Sequence, residues 1–256
     1  METFSIYISN STHFCIFVKQ ESLIDLMVTT AIQKKKTTNL LKKLNICKDF
    51  YEKLAWSKNE FICGIDEVGR GCLAGPVVVC AVILPQNCRI NNLKDSKVLT
   101  AKQREGVAKK LSFSAYYAFA ILDQSEIDDI NIWHATLKGM RRALLNLLSV
   151  CPKLPLIVTV DAMPLSLSNT GYSNIEIKSF PFGESISKSI AAASILAKVK
   201  RDELMSRLDK VVPGYALYQH KGYGTPQHQE ALKLNGQSLL HRQSFLKKHK
   251  VKNLHE

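Results

Sequence analysis

Several features are missing from this sequence, and each absence excludes something. No apolar run approaches the roughly 20 residues that a membrane-spanning helix needs. No basic segment precedes the short apolar stretch "FCIFV" near the start, so a secretory signal is not expected. No C-x-x-C pair occurs among the seven cysteines, which argues against a structural zinc site. Scattered through apolar runs, they read as reduced core residues of a cytoplasmic protein. Acidic residues are scarce beside basic ones: 22 Asp+Glu against 35 Lys+Arg, a formal net charge of +13. Such an excess favours a polyanionic partner, nucleic acid before others, over a merely solvated basic surface.

What is present divides into two parts. Residues 1–58 hold two stretches of helical apolar spacing, "SLIDLMVTTAIQ" and "NLLKKLNICKDFYEKLAW", separated by "KKKTTN". They carry no catalytic constellation and are expected to form an accessory helical extension. From residue 59 to 256 the pattern becomes that of an α/β domain. "FICGID" and "PVVVCAVIL" are β-rich runs around a glycine turn and predict an antiparallel pair. "TAKQREGVAKKL" predicts a helix capped by Thr100. "SAYYAFAIL" is a third strand. "NIWHATLKGMRRALLNLLSVC" predicts an amphipathic helix with Ile132, Trp133, Leu137, Met140 and Leu144 on one stripe, stopped by Pro152. "LPLIVTVDAMP" and "NIEIKSFP" are strands four and five. A long helix follows over "ESISKSIAAASILAKVKRDELMSRLDKVVPG", then one with Thr225 as cap, Pro226 at its first position and Gly236 after its end. The order implies a mixed five-stranded sheet with helices on its faces.

The candidate chemistry lies in carboxylates. Asp66 ends the first strand and Asp161 the fourth, so the two converge if those strands share an end of the sheet. Side chains alternate along a strand, so Glu67 joins Asp66 only if the strand breaks there. Ser194, Lys198 and Asp202 rise along one face of the long helix. Asp202 either pairs with Lys198 or meets the strand-end acids. A lone strand-end aspartate is more often a turn former or cap; the coincidence of several shifts the balance toward a site. Clustered acids repel unless cations neutralise them, and oxygen-only ligands suit Mg²⁺ or Mn²⁺.

The blocks "GIDEVGRGCLAGPVV", "LKDSKVLT", "VDAMPL", "SISKSIAAASILAKVKRD", "HKGYGTPQH" and "HRQSF" together resemble bacterial ribonuclease HII, over about residues 61–246. The resemblance implies a ribonuclease H-like fold and an endonuclease that cuts RNA within RNA–DNA hybrids, including a lone ribonucleotide embedded in duplex DNA. It implies catalytic, metal-holding carboxylates at Asp66, Glu67, Asp161 and Asp202. It assigns junction recognition to Gly69, Arg70 and Gly71, with Tyr223 packing on a neighbouring sugar. Lys97 and Ser187 are candidate phosphate contacts, a turn and a helix start being the plainer alternatives. The expected enzyme is a cytoplasmic monomer with no membrane partner.

Three features depart from the family pattern. Gly183-Glu184 stands where Gly-Asp is usual, Val98 where a second lysine is common, and "HRQSFLKKHKVKNLHE" is unusually basic, suggesting a disordered arm that adds affinity for a nucleic acid backbone. Ribonuclease HIII is the nearest rival, sharing fold and chemistry but resembling this chain less at Arg70. A silent RNA-binding module would need no acid cluster. A phosphate-loop nucleotidase fails because no Gly-Lys-Ser/Thr follows the glycines of "GRGCLAGP".

Overall fold

The computed structural model describes residues 49–86, 88, 90, 93, 99–181 and 183–248. All lie in the second of two units, Lys48–Glu256. Its elements are α1 (Phe50–Ser57), β1 (Ile62–Val68), β2 (Val77–Ile83), α2 (Ala101–Ser114), β3 (Tyr116–Leu122), α3 (Gln124–Val150), β4 (Ile157–Asp161), β5 (Glu176–Phe180), a 3₁₀ turn (Gly183–Ser185), α4 (Lys188–Val211), α5 (Leu217–His220), α6 (Pro226–Asn235) and α7 (Gln243–Lys248). The sheet has five strands in the order β3-β2-β1-β4-β5. β1 pairs antiparallel with β2 and parallel with β4. The mixed α/β sheet expected from the sequence is the one observed.

Alternation along β2 explains the layers. Val77, Val79, Ala81 and Ile83 face one core with Met140, Leu144 and Leu147 of α3. Val78, Cys80 and Val82 face a second core with Leu111 of α2 and Ala192, Ala193 and Ile195 of α4. Apolar on both faces, β2 is the buried centre of the fold. A third core of Leu73, Met205, Tyr215, Leu217, Leu232 and Leu246 joins α4 to the C-terminal helices.

Helix starts follow local chemistry. The Thr100 hydroxyl accepts from the Gln103 amide and the Gln103 side chain accepts from the Thr100 amide, a complete capping box. Thr225 caps α6, with Pro226 inside the start and Gly236 after the end. α3 begins earlier than its apolar stripe suggests, at Gln124, and breaks at Asn131, whose φ is +62°. The Asn131 side chain accepts from the amides of Trp133 and His134 and so restarts the helix. This rotates Trp133 off the expected stripe: it is 42% exposed.

Two expectations change at the ends. α1, counted above with the extension, packs within the Lys48–Glu256 unit. Glu52 on α1 is fully buried; its Oε1 accepts from the Ser187 hydroxyl (2.7 Å) and the Ser189 amide (2.8 Å), so it caps the start of α4 from outside. At the other end, "HRQSFLKK" is folded, not an arm. Arg242 is buried, and the carboxylate of Asp128 accepts the amides of Gln243 and Ser244 at the start of α7. Residues 249–256 lie outside the described residues.

Candidate active site

β1 and β4 run parallel as neighbours, with Ile65 opposite Val160, so Asp66 and Asp161 come next at the same end of the sheet. Asp66 is buried, on the α4 side of β1. Its carboxylate accepts from the Glu67 amide (2.8 Å) and from Ser194 of α4. Burial first, then the charges of Glu67 and Asp161, push its carboxyl well above the usual range. Glu67 is raised as well, chiefly by burial, with Asp161 adding repulsion and Arg70 opposing it. Asp161 Oδ1 accepts from the Gly183 amide (2.9 Å).

Glu67 reaches this group without the strand break expected of it. β1 continues through Val68, while its ladder with β4 stops at Ile65. Past that pair β4 contributes only Asp161, and Asp66 and Glu67 lie on opposite faces of β1 at this open edge. Asp161, the last residue of β4, is within electrostatic range of both.

Asp202 is placed differently. It accepts from Lys198 Nζ at 2.8 Å, the plainer of the two readings above. Ser194, which bonds Asp66, lies eight residues earlier, about 12 Å along the helix axis. Asp202 instead acts on Lys221, whose pKa burial lowers against its pull, and on Tyr223, where it adds to the burial that raises the phenol. The structure therefore gathers Asp66, Glu67 and Asp161 and sets Asp202 further along α4. A different acid lies nearer: half-buried Glu184 directly follows Gly183, whose amide holds Asp161. The signal was the Gly-Asp of the family pattern, an acid at that position whatever its length.

The residues fit a hard divalent cation by donor type. The cluster offers carboxylate oxygens only, and Glu67 Oε2 is buried without a hydrogen-bond partner. Among the described residues no three such groups already stand as a ready cage. Arg70 and the Gly183 amide engage Glu67 and Asp161 instead.

The glycine turn is shaped by two buried arginines. Arg201 donates to the carbonyls of Pro76, Lys221 and Ala74. Arg242 donates to those of Gly75, Arg70 and Gly69. Burial lowers the Arg242 pKa to about 10, leaving it charged. Gly69 has φ +97°, and a Cβ there would stand 2.2 Å from Arg201 Nε, so only glycine fits. Gly71 has open space where a Cβ would go, which leaves room for a ligand. Arg70 Nη1 lies 3.2 Å from Glu67 Oε1, and its guanidinium lies over the Trp133 ring at 6.0 Å.

Tyr223 is 39% exposed, flanked by Lys198 and Arg201 at 5.8 and 5.9 Å from its ring, and bonded through its side chain to Cys72. Its carbonyl meets His228 Nδ1, and His228 Nε2 meets His241 Nε2 at 3.0 Å. Because His241 Nδ1 accepts from the Ser238 amide, the proton between the rings belongs to His241. His228 therefore accepts it and donates from Nδ1 to Tyr223. These histidines and both arginines escaped sequence reading, since only the fold brings them together.

Ser187 does not contact a phosphate as expected: it is fully buried, and its hydroxyl is spent on Glu52. Lys97 lies outside the described residues.

Comparison with known proteins identifies the relatives of this chain. The family model described as Ribonuclease HII matches residues 63–249. A Ribonuclease HII of Acetivibrio thermocellus is 46% identical over 206 residues, covering 80% of this chain and 76% of that one. Among solved structures, the ribonuclease HII of a PCNA complex from Archaeoglobus fulgidus superposes with a TM-score of 0.63 at 24% identity, covering 75% of this chain and 97% of that chain. A Bst-RNase HIII in complex with Mn²⁺ gives 0.58 at 22%, covering 75% and 69%. The chain belongs to the ribonuclease HII family and is an endoribonuclease of RNA–DNA hybrids.

Proposed function

We propose that this endonuclease also cuts duplex DNA on the 5′ side of a single embedded ribonucleotide, leaving a 3′-hydroxyl and a 5′-phosphate. The observation that carries the reading is the meeting of Asp66, Glu67 and Asp161 at one sheet edge beside the Gly69–Gly71 turn. Those three carboxylates would hold two divalent ions, Mg²⁺ or Mn²⁺, with Glu184 as the fourth acid in preference to Asp202. When bound, such ions supply Lewis acidity and a more acidic water.

The protein's own groups do the rest. Arg70 offsets the charge of Glu67 and offers its free edge to a phosphate. The open space at Gly71 lets a sugar come close enough for its 2′-hydroxyl to be read by backbone groups. Tyr223, exposed between Lys198 and Arg201, packs on the next sugar, which fits best without a 2′-hydroxyl. The reading keeps a monomer working in the cytoplasm; light scattering tests the first point.

Purified protein, Mg²⁺ or Mn²⁺ and a labelled duplex with one ribonucleotide give the test. A single cut 5′ of the ribonucleotide, abolished by chelator, is expected. Cleavage of long hybrids only would refute the junction reading.

A further inference from the structure

Trp133 has no place in the reading above. Its large indole would gain from burial, and its position beside Ile132 in an apolar stripe marks it for the core. The chain turns it outward instead. Asn131 adopts a left-handed φ of +62°, a conformation that costs a non-glycine residue energy and persists only where surroundings impose it. Its side chain accepts from the Trp133 amide at 3.0 Å and the His134 amide at 3.2 Å, and its amide group meets His134 Nδ1 at 3.0 Å. The helix behind is held hard against the sheet: a Cβ at Gly139 would stand 2.5 Å from Leu122 and 2.9 Å from Val79. The indole is thus a rigid aromatic surface on a fixed support.

It faces the site. The Arg70 guanidinium lies 6.0 Å from the Trp133 ring centroid, and the same guanidinium is paired with Glu67. The order is therefore carboxylate, cation, indole, running outward from the sheet edge. A protein of net charge +13 that acts on nucleic acid presents an exposed aromatic face next to a cation at its catalytic edge. In a duplex the base faces are stacked against one another, so sugars and phosphates are the surfaces open to the protein.

We propose that Trp133 is a substrate-contacting residue, an aromatic platform on which a sugar of the bound nucleic acid packs while Arg70 holds the adjoining phosphate. The inference deepens the function proposed above and rests on it. Trp133 would extend the contact to the far side of the carboxylate edge from Tyr223.

The chain has only two tryptophans, Trp56 and Trp133, which makes the test direct. The Trp56→Phe protein reports Trp133 alone, and the Trp133→Phe protein reports Trp56 alone. Each is titrated in chelator with a DNA duplex carrying one ribonucleotide. Anisotropy of a dye on that duplex measures binding separately. Quenching of the Trp56→Phe protein, without quenching of the Trp133→Phe protein, is expected. Bound duplex with no change in Trp133 emission would overturn the platform and leave the proposed function standing. No binding by anisotropy would sink both. In kinetics, Trp133→Ala should raise KM about threefold or more, the size of a lost apolar contact, with kcat changed less than about twofold. A lower melting temperature with unchanged KM would mark Trp133 as merely structural.

Discussion

At the scale of single residues, the site holds its acids in an unfavourable state. Asp66 is buried beside two other carboxylates and kept there by Ser194 and the Glu67 amide. Asp66→Asn keeps one oxygen to accept from the Glu67 amide, offers an NH2 that can donate to the Ser194 hydroxyl, and removes the repulsion. The metal-free variant should melt higher, by roughly 2–4 °C for each kcal/mol relieved in a domain of this size, yet lose cleavage. Mg²⁺ should raise the melting temperature of the parent protein and leave the variant unmoved. Scanning calorimetry with and without the ion decides this, and a variant that melts lower in chelator would contradict it. Glu184→Gln and Asp202→Asn separate the two candidates for the fourth acid. The first should cost at least about a hundredfold in kcat, and the second, which breaks the Lys198 pair but touches no strand-end acid, about tenfold or less. The reverse order would return Asp202 to the metal site. The three strand-end acids could be read from the sequence because each closes or extends a β-run. The true neighbour of Asp161 could not, because adjacency of Gly183 depends on a turn after β5 that has no periodicity of its own.

At the scale of elements, the site depends on how closely α4 lies along β1. A Cβ at Gly64 would stand 2.2 Å from the Ser189 carbonyl carbon and 2.3 Å from the Ile190 amide nitrogen. These are backbone atoms and cannot swing away. Gly64→Ala should therefore push the helix off the strand, destabilise the fold by about 1–3 kcal/mol or more, and carry Ser194 away from Asp66. Urea melts and activity should fall together; an unchanged midpoint would show the contact is loose. α1 fixes the same helix at its start. Glu52→Ala leaves the Ser187 hydroxyl and Ser189 amide without their buried acceptor, at a cost of about 1–3 kcal/mol. Loss of less than about 0.5 kcal/mol in the same melts would deny α1 that role. Elements with local signals were legible: Thr100, Thr225, Pro226 and Gly236 mark real helix ends, and alternation marks real strands. The stretch read as helix began at Asn131, where the helix restarts; the helical residues from Gln124 that precede it were missed. The pairing of Glu52 with Ser187, a bond between residues 135 positions apart, was not legible either.

At the scale of the whole molecule, charge and acidity set the working range. Binding driven by basic contacts to phosphates should weaken steeply with salt, and log KM against log salt measures the slope. A flat plot would mean that few phosphates are contacted. Acid should act through the histidine chain. Burial lowers His228 and His241 to about 4 from an ordinary 6.5. Between those values the unfolded chain binds more protons than the folded one, so stability is full above about pH 6.5 and falls as pH drops toward 4. The Nε2–Nε2 contact would then hold two donors, and the Tyr223 carbonyl would lose its fixed partner. Melting curves from pH 7 to 4.5 should show this loss, and His228→Asn should flatten it.

The arginine that shapes the glycine turn also imposes an order of events in time. Arg70 and Arg242 are 172 residues apart, and the carbonyl bonds between them close nearly the full length of the domain. During synthesis the sheet, its strand-end acids and α4 all emerge before residue 242 exists. A growing chain can thus own its carboxylates while the turn proposed to meet nucleic acid is held by Arg201 without Arg242. Cleavage is therefore expected only once Arg242 has joined the fold. A chain ending at residue 241 should keep the circular dichroism of the sheet and lose cleavage, and full activity in that truncated chain would show that Arg242 is not needed to shape the turn.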